Sequence, residues 1–407
     1  MTTPSVVAPK LEPGGKAGVG FIGLCEPYVA GREWEYMKAC IDTGWVSSVG
    51  SFVDRFETEF AEKVGTRYAV AMASGTSALH IALLVSGIKP DEEVVAPALT
   101  FIAPLNAMRY VGAWPTVVDV DPNHWQMDSD QLRAFLETDC ERKGRVLVNR
   151  RTGRTVSAVM PVDILGHPCD LDSIYGLAAE YGLKVVEDAT ESLGAKYKER
   201  SLGQLSPVTC FSFNGNKLIT TGGGGMLVTD NEALARRARY LATQAKDDAL
   251  EYVHHAVGYN YRLTNPLAAM GCAQLEQLDA FVEKKLAIAA RYTKAFADIP
   301  GLTPMREAAW ARSAFWMFTM LVEGDTFGMD SRALLRHLGE QKIQARPLWE
   351  PMHKSHAHKG AWCRPCPVAE RIHERALSLP CSVGLTQADQ NRVIAAVRGA
   401  AGSGRGQ

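Results

Sequence analysis

A lysine followed by a run of glycines is the first segment whose residue types could do covalent chemistry. Residues 211–225 read FSFNGNKLITTGGGG, so Lys217 lies in a short turn before four glycines. A lysine that forms a Schiff base needs rigid backbone and open space for a cofactor and a substrate. Glycines leave that space because they lack a Cβ atom. Taken alone, the segment is more typical of a glycine-rich hairpin beside a surface lysine, so the chemical interpretation depends on companion motifs.

The first companion motif is VVEDATES, residues 185–192. Asp188 is expected just past the carboxyl end of a buried strand, which is where open α/β sheets bind their ligands. A carboxylate at that position can pair with a pyridinium nitrogen and keep the ring protonated. Glu191 can reach the phenolic oxygen of the same ring. The alternative is that both acids cap the following segment, Asp188 as an N-cap and Glu191 as part of a capping box.

Two further motifs offer a phosphate site and a ring-stacking residue. ASGTSALHIAL, residues 73–83, reads as strand, small polar turn and helix, so Gly75 and Thr76 would present a helix N-terminus to a phosphate. PALTFIAPLNA, residues 97–107, places Phe101 after a strand, where it can stack on a flat heteroaromatic ring. An ordinary helix cap and a core aromatic are the plain alternatives. The conjunction of all four motifs at strand ends favours one shared pocket.

The elements that must position these residues alternate between short apolar runs and longer amphipathic ones from about residue 65 to 230. This pattern predicts a parallel sheet covered by helices, with strands buried on both faces. The predicted strands are 68–73, 92–97, 116–121, 156–163, 184–189, 208–213 and 224–230. Helices are predicted over 101–111 and 171–182, and one long helix over 267–298. Beyond it, a strand over 315–323 and a helix over 331–341 predict a smaller α+β unit.

The predicted domain organisation follows from this alternation: a disordered arm (1–18), a large domain (19–270), a linking helix (271–298), a small C-terminal domain (299–398) and a tail (399–407). The 407 residues carry 44 basic and 45 acidic side chains. A chain so neutral has no global charge to recruit nucleic acid or an anionic membrane. No apolar run approaches the roughly 20 residues of a membrane-spanning helix.

The cysteines and the N-terminus bear on location. Nine cysteines, an odd number scattered through apolar segments, favour reduced thiols and a cytoplasmic protein. The first residues lack the pattern of a secretory signal. Cys363 and Cys366 form a CxxC pair near three histidines, but no second pair follows at zinc-ligand spacing, so no metal site is predicted.

In order along the chain, the motifs SGTSAL, PALTFIA, EDATESLG, FSFNGNK, TTGGGG and GYNYR resemble the DegT/DnrJ/StrS family of nucleotide-sugar aminotransferases, from about residue 20 to 395. The resemblance implies a fold type I enzyme dependent on pyridoxal 5'-phosphate. Its large domain would carry a mostly parallel seven-stranded sheet sandwiched by helices, with a smaller α+β domain after it. The active unit would be a homodimer with shared active sites.

The resemblance also implies roles for individual residues. Lys217 would hold the cofactor as a Schiff base and shuttle protons, and Asp188 would bind the pyridine nitrogen. Glu191, where many relatives have Gln or His, would lie near the phenolic oxygen, and Phe101 would cover the ring face. The phosphate would be held by three residues of the same chain and one of the neighbouring subunit, namely Gly75, Thr76, Ser212 and, in trans, Asn260.

The substrate implied by the resemblance is a sugar nucleotide, with L-glutamate as the amino donor. The segments NGNKLITTGGGGMLVTD and ARPLWEPMH are most similar to the branch acting on UDP-4-keto-6-deoxy-N-acetylhexosamines. The product would be a 4-amino-4,6-dideoxy sugar nucleotide. Arg346 and His353 fall where relatives contact or approach the sugar nucleotide. Asn214 occupies a position that is often His in other branches, which leaves its role open.

Three alternatives remain at this stage. The substrate of an aminotransferase could instead be a 3-keto sugar, a GDP-linked sugar or an inosose, since specificity lies in loops. A sugar dehydratase of the same fold is disfavoured because such relatives replace the lysine with His, whereas Lys217 is present. A non-catalytic α/β binding protein, in which the glycines merely form turns, is the alternative from another class.

Overall fold

Strands and helices alternate along most of the chain in a computed structural model that describes residues 20–248 and 250–401. The predicted arm and residues 402–407 of the predicted tail lie outside the described residues. In the first part of the chain the elements are α1 (Glu33–Asp42), α2 (Ser51–Val64), β1 (Tyr68–Met72), α3 (Gly75–Val85), β2 (Glu93–Pro97), α4 (Ala103–Tyr110), β3 (Trp114–Val118), α5 (Ser129–Ala134), β4 (Cys140–Lys143), β5 (Val146–Asn149), β6 (Thr155–Val159), α6 (Leu171–Tyr181), β7 (Lys184–Val185), β8 (Glu187–Asp188), β9 (Lys196–Tyr197), β10 (Arg200–Ser201), β11 (Thr209–Ser212), β12 (Gly225–Thr229) and α7 (Glu232–Ala242).

The remaining elements follow a loop that contains GYNYR. They are α8 (Asn265–Leu275), α9 (Leu278–Phe296), β13 (Leu302–Pro304), β14 (Ala311–Arg312), β15 (Phe318–Val322), α10 (Gly324–Phe327), α11 (Ser331–Glu340), β16 (Arg346–Pro347), β17 (Trp362–Cys363), α12 (Pro367–Arg375), β18 (Ala376–Leu379) and α13 (Gln387–Ala400). No helix among the described residues is long and apolar enough to cross a membrane.

The large sheet has the spatial order β3-β2-β6-β7/β8-β11-β12-β1 when β7 and β8, which flank Val186, are counted as one strand. Pairing is parallel from β3 to β11. Strand β12 runs antiparallel to both of its neighbours, with Ser212 opposite Gly225. The predicted mostly parallel seven-stranded sheet is therefore confirmed. Strands β4 and β5 form a hairpin, and β5 also pairs antiparallel with β6. The short strand β17 pairs in parallel with β3.

Both faces of this sheet are buried, as its apolar strands require. Successive residues of β1 alternate between two apolar clusters, with Val70 and Met72 on one face and Ala69 and Ala71 on the other. Helix α3 covers the first face. Helices α2 and α6 cover the second.

Aromatic packing fixes the strand that leads to Lys217. On α2, the Phe56 ring lies 5.1 Å from the Phe213 ring, and the Phe60 ring lies 5.3 Å from the Phe211 ring. Rings at such separations contribute about 0.5–1.5 kcal/mol beyond burial. Helix α2, which sequence reasoning did not predict, thus holds β11 in place just before the lysine turn.

A second sheet, order β13-β15-β18-β16, is antiparallel and follows α9. The segment at the start of the described chain joins this part of the molecule, since Ile22 pairs with Ile343 and the Cys381 N–H donates to the Leu24 carbonyl over 2.8 Å. The sequence placed residues from 19 onward in the large domain, whereas residues 22–24 pair with the C-terminal part of the chain.

The single long helix predicted over 267–298 is wrong, because α8 ends at Leu275 and α9 begins at Leu278. At the break, the Gln277 N–H donates to the Gln274 carbonyl, three residues back instead of four. The side-chain amides of both glutamines donate to the buried carboxylate of Glu33, over 2.5 and 3.1 Å. The helix break thus coincides with contacts to a carboxylate of α1, and no Gly or Pro lies between residues 274 and 278 to mark it in the sequence.

Candidate active site

A cavity of about 270 Å³ opens at the carboxyl edge of the large sheet. It collects residues that follow β1, β2, β8 and β11, as the rule for open α/β sheets requires. The lining residues include Ser74, Gly75, Thr76, Thr100, Phe101, Asp188, Thr190, Glu191, Ser212, Asn214, Asn216, Lys217, Gly223, Gly224, Trp316 and Trp349. Eight of the residues singled out from the sequence therefore share one cavity: Gly75, Thr76, Phe101, Asp188, Glu191, Ser212, Asn214 and Lys217.

The N-terminus of α3 forms one end of the cavity. Ser74 caps the helix, since its Oγ accepts from the Ser77 N–H and the Ser77 Oγ lies 3.0 Å from the Ser74 backbone nitrogen. The first amides of a helix have no acceptor within the helix, and they carry the positive end of its dipole. Gly75 and Thr76 present those amides at the cavity wall. This end is suited to a phosphate group.

Gly75 is required by the close approach of β11. A Cβ atom added at Gly75 would meet the Ser212 Cβ at 2.8 Å and the Thr190 Cγ2 at 3.2 Å. The helix start and the end of β11 therefore touch. The Ser212 hydroxyl consequently stands beside the helix amides, where it adds a hydrogen-bonding group to the anion site.

Asp188 is almost completely buried, with 1% of its surface exposed. Its Oδ1 atom accepts the Thr190 N–H over 3.0 Å, which fixes the direction of the carboxylate. Burial raises the pKa of Asp188 from an ordinary value of 3.8 to about 6. A carboxylate held in such surroundings is strongly stabilised by a cation placed against it, and a protonated pyridine nitrogen is such a cation.

Lys217 and Glu191 form an ion pair across the cavity. The Lys217 Nζ lies 3.4 Å from the Glu191 Oε1, while Glu191 Oε2 accepts the Leu165 N–H over 2.9 Å. Burial raises the pKa of Glu191. The Lys217 Nζ also lies 3.9 Å from the centroid of the Trp316 ring, within the range of a cation–π contact. The amine is thus held by one carboxylate and one ring face.

Aromatic side chains line the walls between these groups. Phe101, with 52% of its surface exposed, stands at the open side. Trp316 and Trp349 line the cavity from the C-terminal part of the chain. Sequence reasoning missed both tryptophans. It took residues 315–323 for one strand, whereas β15 begins at Phe318, and the residues before it form a loop in which Phe315 has φ +44°.

Three residues singled out from the sequence do not line this cavity. Asn260 is exposed and pairs through its backbone with Thr243. Arg346 is exposed in β16. The Nε2 atom of His353 lies 2.8 Å from the Oε1 atom of Glu370, so the imidazole is paired with that carboxylate.

The arrangement fits a phosphorylated pyridine aldehyde. The helix N-terminus and the Ser212 hydroxyl suit its phosphate, the buried Asp188 carboxylate suits its ring nitrogen, and Phe101 suits its flat face. The Lys217 amine suits its aldehyde carbon. No group of His, Cys, Asp or Glu side chains that could hold a metal ion occurs among the described residues.

Comparison with known proteins agrees with this chemistry. The profile of the DegT/DnrJ/EryC1/StrS aminotransferase family matches residues 27–398. The chain belongs to this family. The pyridoxal phosphate-dependent aminotransferase EpsN of Bacillus subtilis is 37% identical over 383 residues, covering 92% of this chain and 94% of EpsN. The GDP-perosamine synthase of Caulobacter vibrioides is 38% identical over 377 residues, covering 92% of this chain and 97% of the synthase.

The fold agrees as well. A DegT/DnrJ/EryC1/StrS aminotransferase from Brucella abortus superposes with a TM-score of 0.83 at 29% identity, covering 91% of this chain and 96% of that chain. As a member of the DegT/DnrJ/EryC1/StrS family, the protein is a sugar aminotransferase of fold type I that depends on pyridoxal phosphate. The expectations of fold, enzyme class and cofactor drawn from the sequence are confirmed. The alternatives of a sugar dehydratase and of a non-catalytic binding protein are not supported by these comparisons.

Proposed function

We propose that this aminotransferase moves the amino group of L-glutamate to the C4 keto carbon of a nucleotide-linked 4-keto-6-deoxy sugar, giving a 4-amino-4,6-dideoxy sugar nucleotide. One observation carries the proposal above all others. A buried carboxylate (Asp188), an amine (Lys217) and a second carboxylate (Glu191) line one cavity with a helix N-terminus at its end. These are the parts that amino-group transfer through a pyridoxal cofactor requires.

Each residue would have a distinct task. Pyridoxal phosphate supplies the electron sink that lets an amino group leave one carbon and join another. Lys217, held 3.4 Å from Glu191, would accept and return the proton at its Nζ atom. Asp188 would keep the pyridine nitrogen protonated, and Glu191 would lie near the phenolic oxygen. Gly75, Thr76 and Ser212 would hold the phosphate.

A second copy of the chain is proposed to complete the site. Asn260 is exposed and lies outside its own cavity, which supports a contact with the phosphate in a neighbouring subunit. Large apolar side chains are also exposed, among them Trp34 (74%), Trp45 (56%) and Val257 (80%). Such side chains mark an interface where they lie together on one face, and a second copy of the chain is proposed to cover them. A homodimer with shared sites accounts for both observations.

The sugar is proposed to be UDP-4-keto-6-deoxy-N-acetylglucosamine, on the similarity of residues 214–230 and 345–353 to that branch. A GDP-linked 4-keto sugar is the second candidate, and it is favoured by the similarity to a GDP-perosamine synthase. Asn214 lines the cavity, while Arg346 and His353 lie outside it. Arg346 and His353 are proposed to meet the nucleotide beyond the sugar. A cytoplasmic location stays a prediction.

The test is turnover of matched keto sugars by the purified protein with L-glutamate. UDP-4-keto-6-deoxy-N-acetylglucosamine and GDP-4-keto-6-deoxymannose are supplied at equal concentrations, and the amine product is detected by mass spectrometry. A kcat/KM that favours the UDP sugar supports the first candidate, and one that favours the GDP sugar replaces it with the second. Absence of product from every keto sugar, in a protein that carries the cofactor, would refute the proposal.

A further inference from the structure

Lys285, in the middle of α9, carries a buried ammonium group. Only 1% of its surface is exposed. Its Nζ donates to the carbonyls of Trp316 (2.7 Å) and Cys381 (2.5 Å) and lies 3.4 Å from the Cys381 sulfur. Among the described residues no Asp or Glu forms an ion pair with it. A buried charge requires an opposite one, and the Cys381 sulfur that the ammonium contacts can carry it.

Contact with the Lys285 ammonium favours the thiolate form of Cys381. The neighbouring Cys25 thiol and the positive charge of Lys285 lower the pKa of Cys381 to about 6, against the opposing effect of burial. The reciprocal effect raises the pKa of Lys285 in spite of burial. The same interaction raises the pKa of Cys25, so Cys25 retains the proton of the pair.

Backbone pairing keeps the two cysteines side by side. The Cys381 N–H donates to the Leu24 carbonyl over 2.8 Å, and the Glu26 N–H donates to the Ser382 hydroxyl over 2.8 Å. Residues 24–26 therefore run alongside residues 381–382. Cys25 is partly exposed and Cys381 is buried. The pair thus joins a thiol near solvent to a thiolate in the interior.

We propose that Cys25 and Cys381 form a dithiol site that a peroxide oxidises to a disulfide, lowering aminotransferase activity. The shared proton moves to Cys381, and the Cys25 thiolate attacks one oxygen of hydrogen peroxide. The O–O bond breaks, giving a sulfenic acid at Cys25 and hydroxide, which takes the proton back from Cys381 to form water. The Cys381 thiolate then attacks the Cys25 sulfur, the S–O bond breaks and hydroxide leaves. Two electrons pass from the sulfurs to the peroxide.

The dithiol shares two residues with the catalytic lysine. The Cys25 sulfur lies 3.1 Å from the Asn216 carbonyl, which also accepts the indole N–H of Trp316 over 2.7 Å. Asn216 precedes Lys217, and the Trp316 ring lies against the Lys217 Nζ. Disulfide formation removes the Cys25 thiol proton from the Asn216 carbonyl and leaves Lys285 without its anion. Both changes shift the backbone that positions the Lys217 amine.

The test uses the holoenzyme treated with hydrogen peroxide and then analysed without reduction. We expect two of the nine thiols to disappear and a cross-linked peptide containing residues 25 and 381. Turnover should fall by up to about 10²-fold, the effect of misplacing a reacting group by about 1 Å. Dithiothreitol should restore both thiols and turnover. Absence of the 25–381 cross-link, or a full cross-link with unchanged turnover, overturns the proposal.

Two variants separate the site from general oxidation. Cys25→Ser should keep its turnover under peroxide, because no disulfide can close. Cys363→Ser, which removes an exposed cysteine elsewhere, should lose turnover as the unaltered enzyme does. Cys25→Ala, which places no hydroxyl at this position, is a second test of the pair if Cys25→Ser is poorly folded. Equal sensitivity of the Cys25 variant and the unaltered enzyme would also overturn the proposal.

Discussion

The Nζ atom of Lys217 lies 3.4 Å from the Oε1 atom of Glu191, and both side chains line the cavity at the carboxyl edge of the large sheet. Glu191 is itself fixed by the Leu165 N–H, and the Trp316 ring covers the amine from another side. The amine of a long, flexible side chain is thereby held in one position at the cavity wall. Pre-organisation of this kind reduces the entropy lost when the amine reacts.

Replacing Lys217 by Ala should abolish both transamination and the visible absorbance of the bound cofactor. Turnover should fall by more than about 10⁴-fold, the upper end of what a positioned acid–base group contributes. The measurement is steady-state turnover together with an absorbance spectrum of the purified protein. Lys294→Ala, an exposed lysine of α9, is the matched control and should behave as the unaltered enzyme. Full turnover by the Lys217 variant would remove its assigned role.

Replacing Asp188 by Asn should leave the fold intact and slow the reaction severely. A neutral amide has nearly the same shape but cannot hold the proton on a pyridine nitrogen. We expect a loss of roughly 10²–10³-fold in kcat, as for removal of one electrostatic contact in a buried site. Asp172→Asn, an exposed aspartate paired with Lys198, is the control. Unchanged kcat in the Asp188 variant would contradict the assignment.

The stability of the protein stripped of its cofactor should fall as the pH rises from about 4 to about 6. The pKa of Asp188 is raised by burial from an ordinary value of 3.8 to about 6, so the folded chain binds more protons than the unfolded chain in this window. The contribution of Asp188 to the free energy of unfolding is fully present below about pH 4 and is lost above about pH 6. A shift of about two units corresponds to about 3 kcal/mol.

The measurement for this pH dependence is the free energy of unfolding in urea for the stripped protein and its Asp188→Asn variant. Other buried carboxylates titrate in both proteins, so the difference between the two curves isolates Asp188. A difference that stays constant from pH 4 to pH 6 would show that burial does not raise the pKa of this group.

Replacing Gly75 by Ala should weaken retention of the cofactor. The new Cβ would lie 2.8 Å from the Ser212 Cβ, and separating the two costs about 1–3 kcal/mol. We expect roughly tenfold to hundredfold weaker binding, measured by titrating pyridoxal phosphate into the stripped protein. Gly176→Ala, in α6 with open space around it, should bind the cofactor normally. Equal affinities of the two variants would argue against the packing role of Gly75.

The sequence predicted those parts of the site that depend on local order along the chain. Asp188, Phe101 and Ser212 follow apolar runs, and an alternating pattern places the ends of parallel strands at one edge. Trp316 and Trp349 reach the same cavity from a different part of the chain, through contacts that no local pattern encodes. The end of α8 was also not predicted, because no Gly or Pro marks it and the glutamines at the break contact a carboxylate of α1, which is distant along the chain.

Strand β12 returns directly beside β11, with Ser212 opposite Gly225, and the Phe213 N–H donates to the Gly224 carbonyl over 2.9 Å. The segment that carries Lys217 is therefore a tethered hairpin tip whose two ends meet. Grafting this tip from one relative into another would leave the register of the sheet unchanged. The reactive amine could thus be exchanged together with Gly223 and Gly224, which line the cavity beside it, whereas Trp349 belongs to a separate part of the chain and could be changed independently.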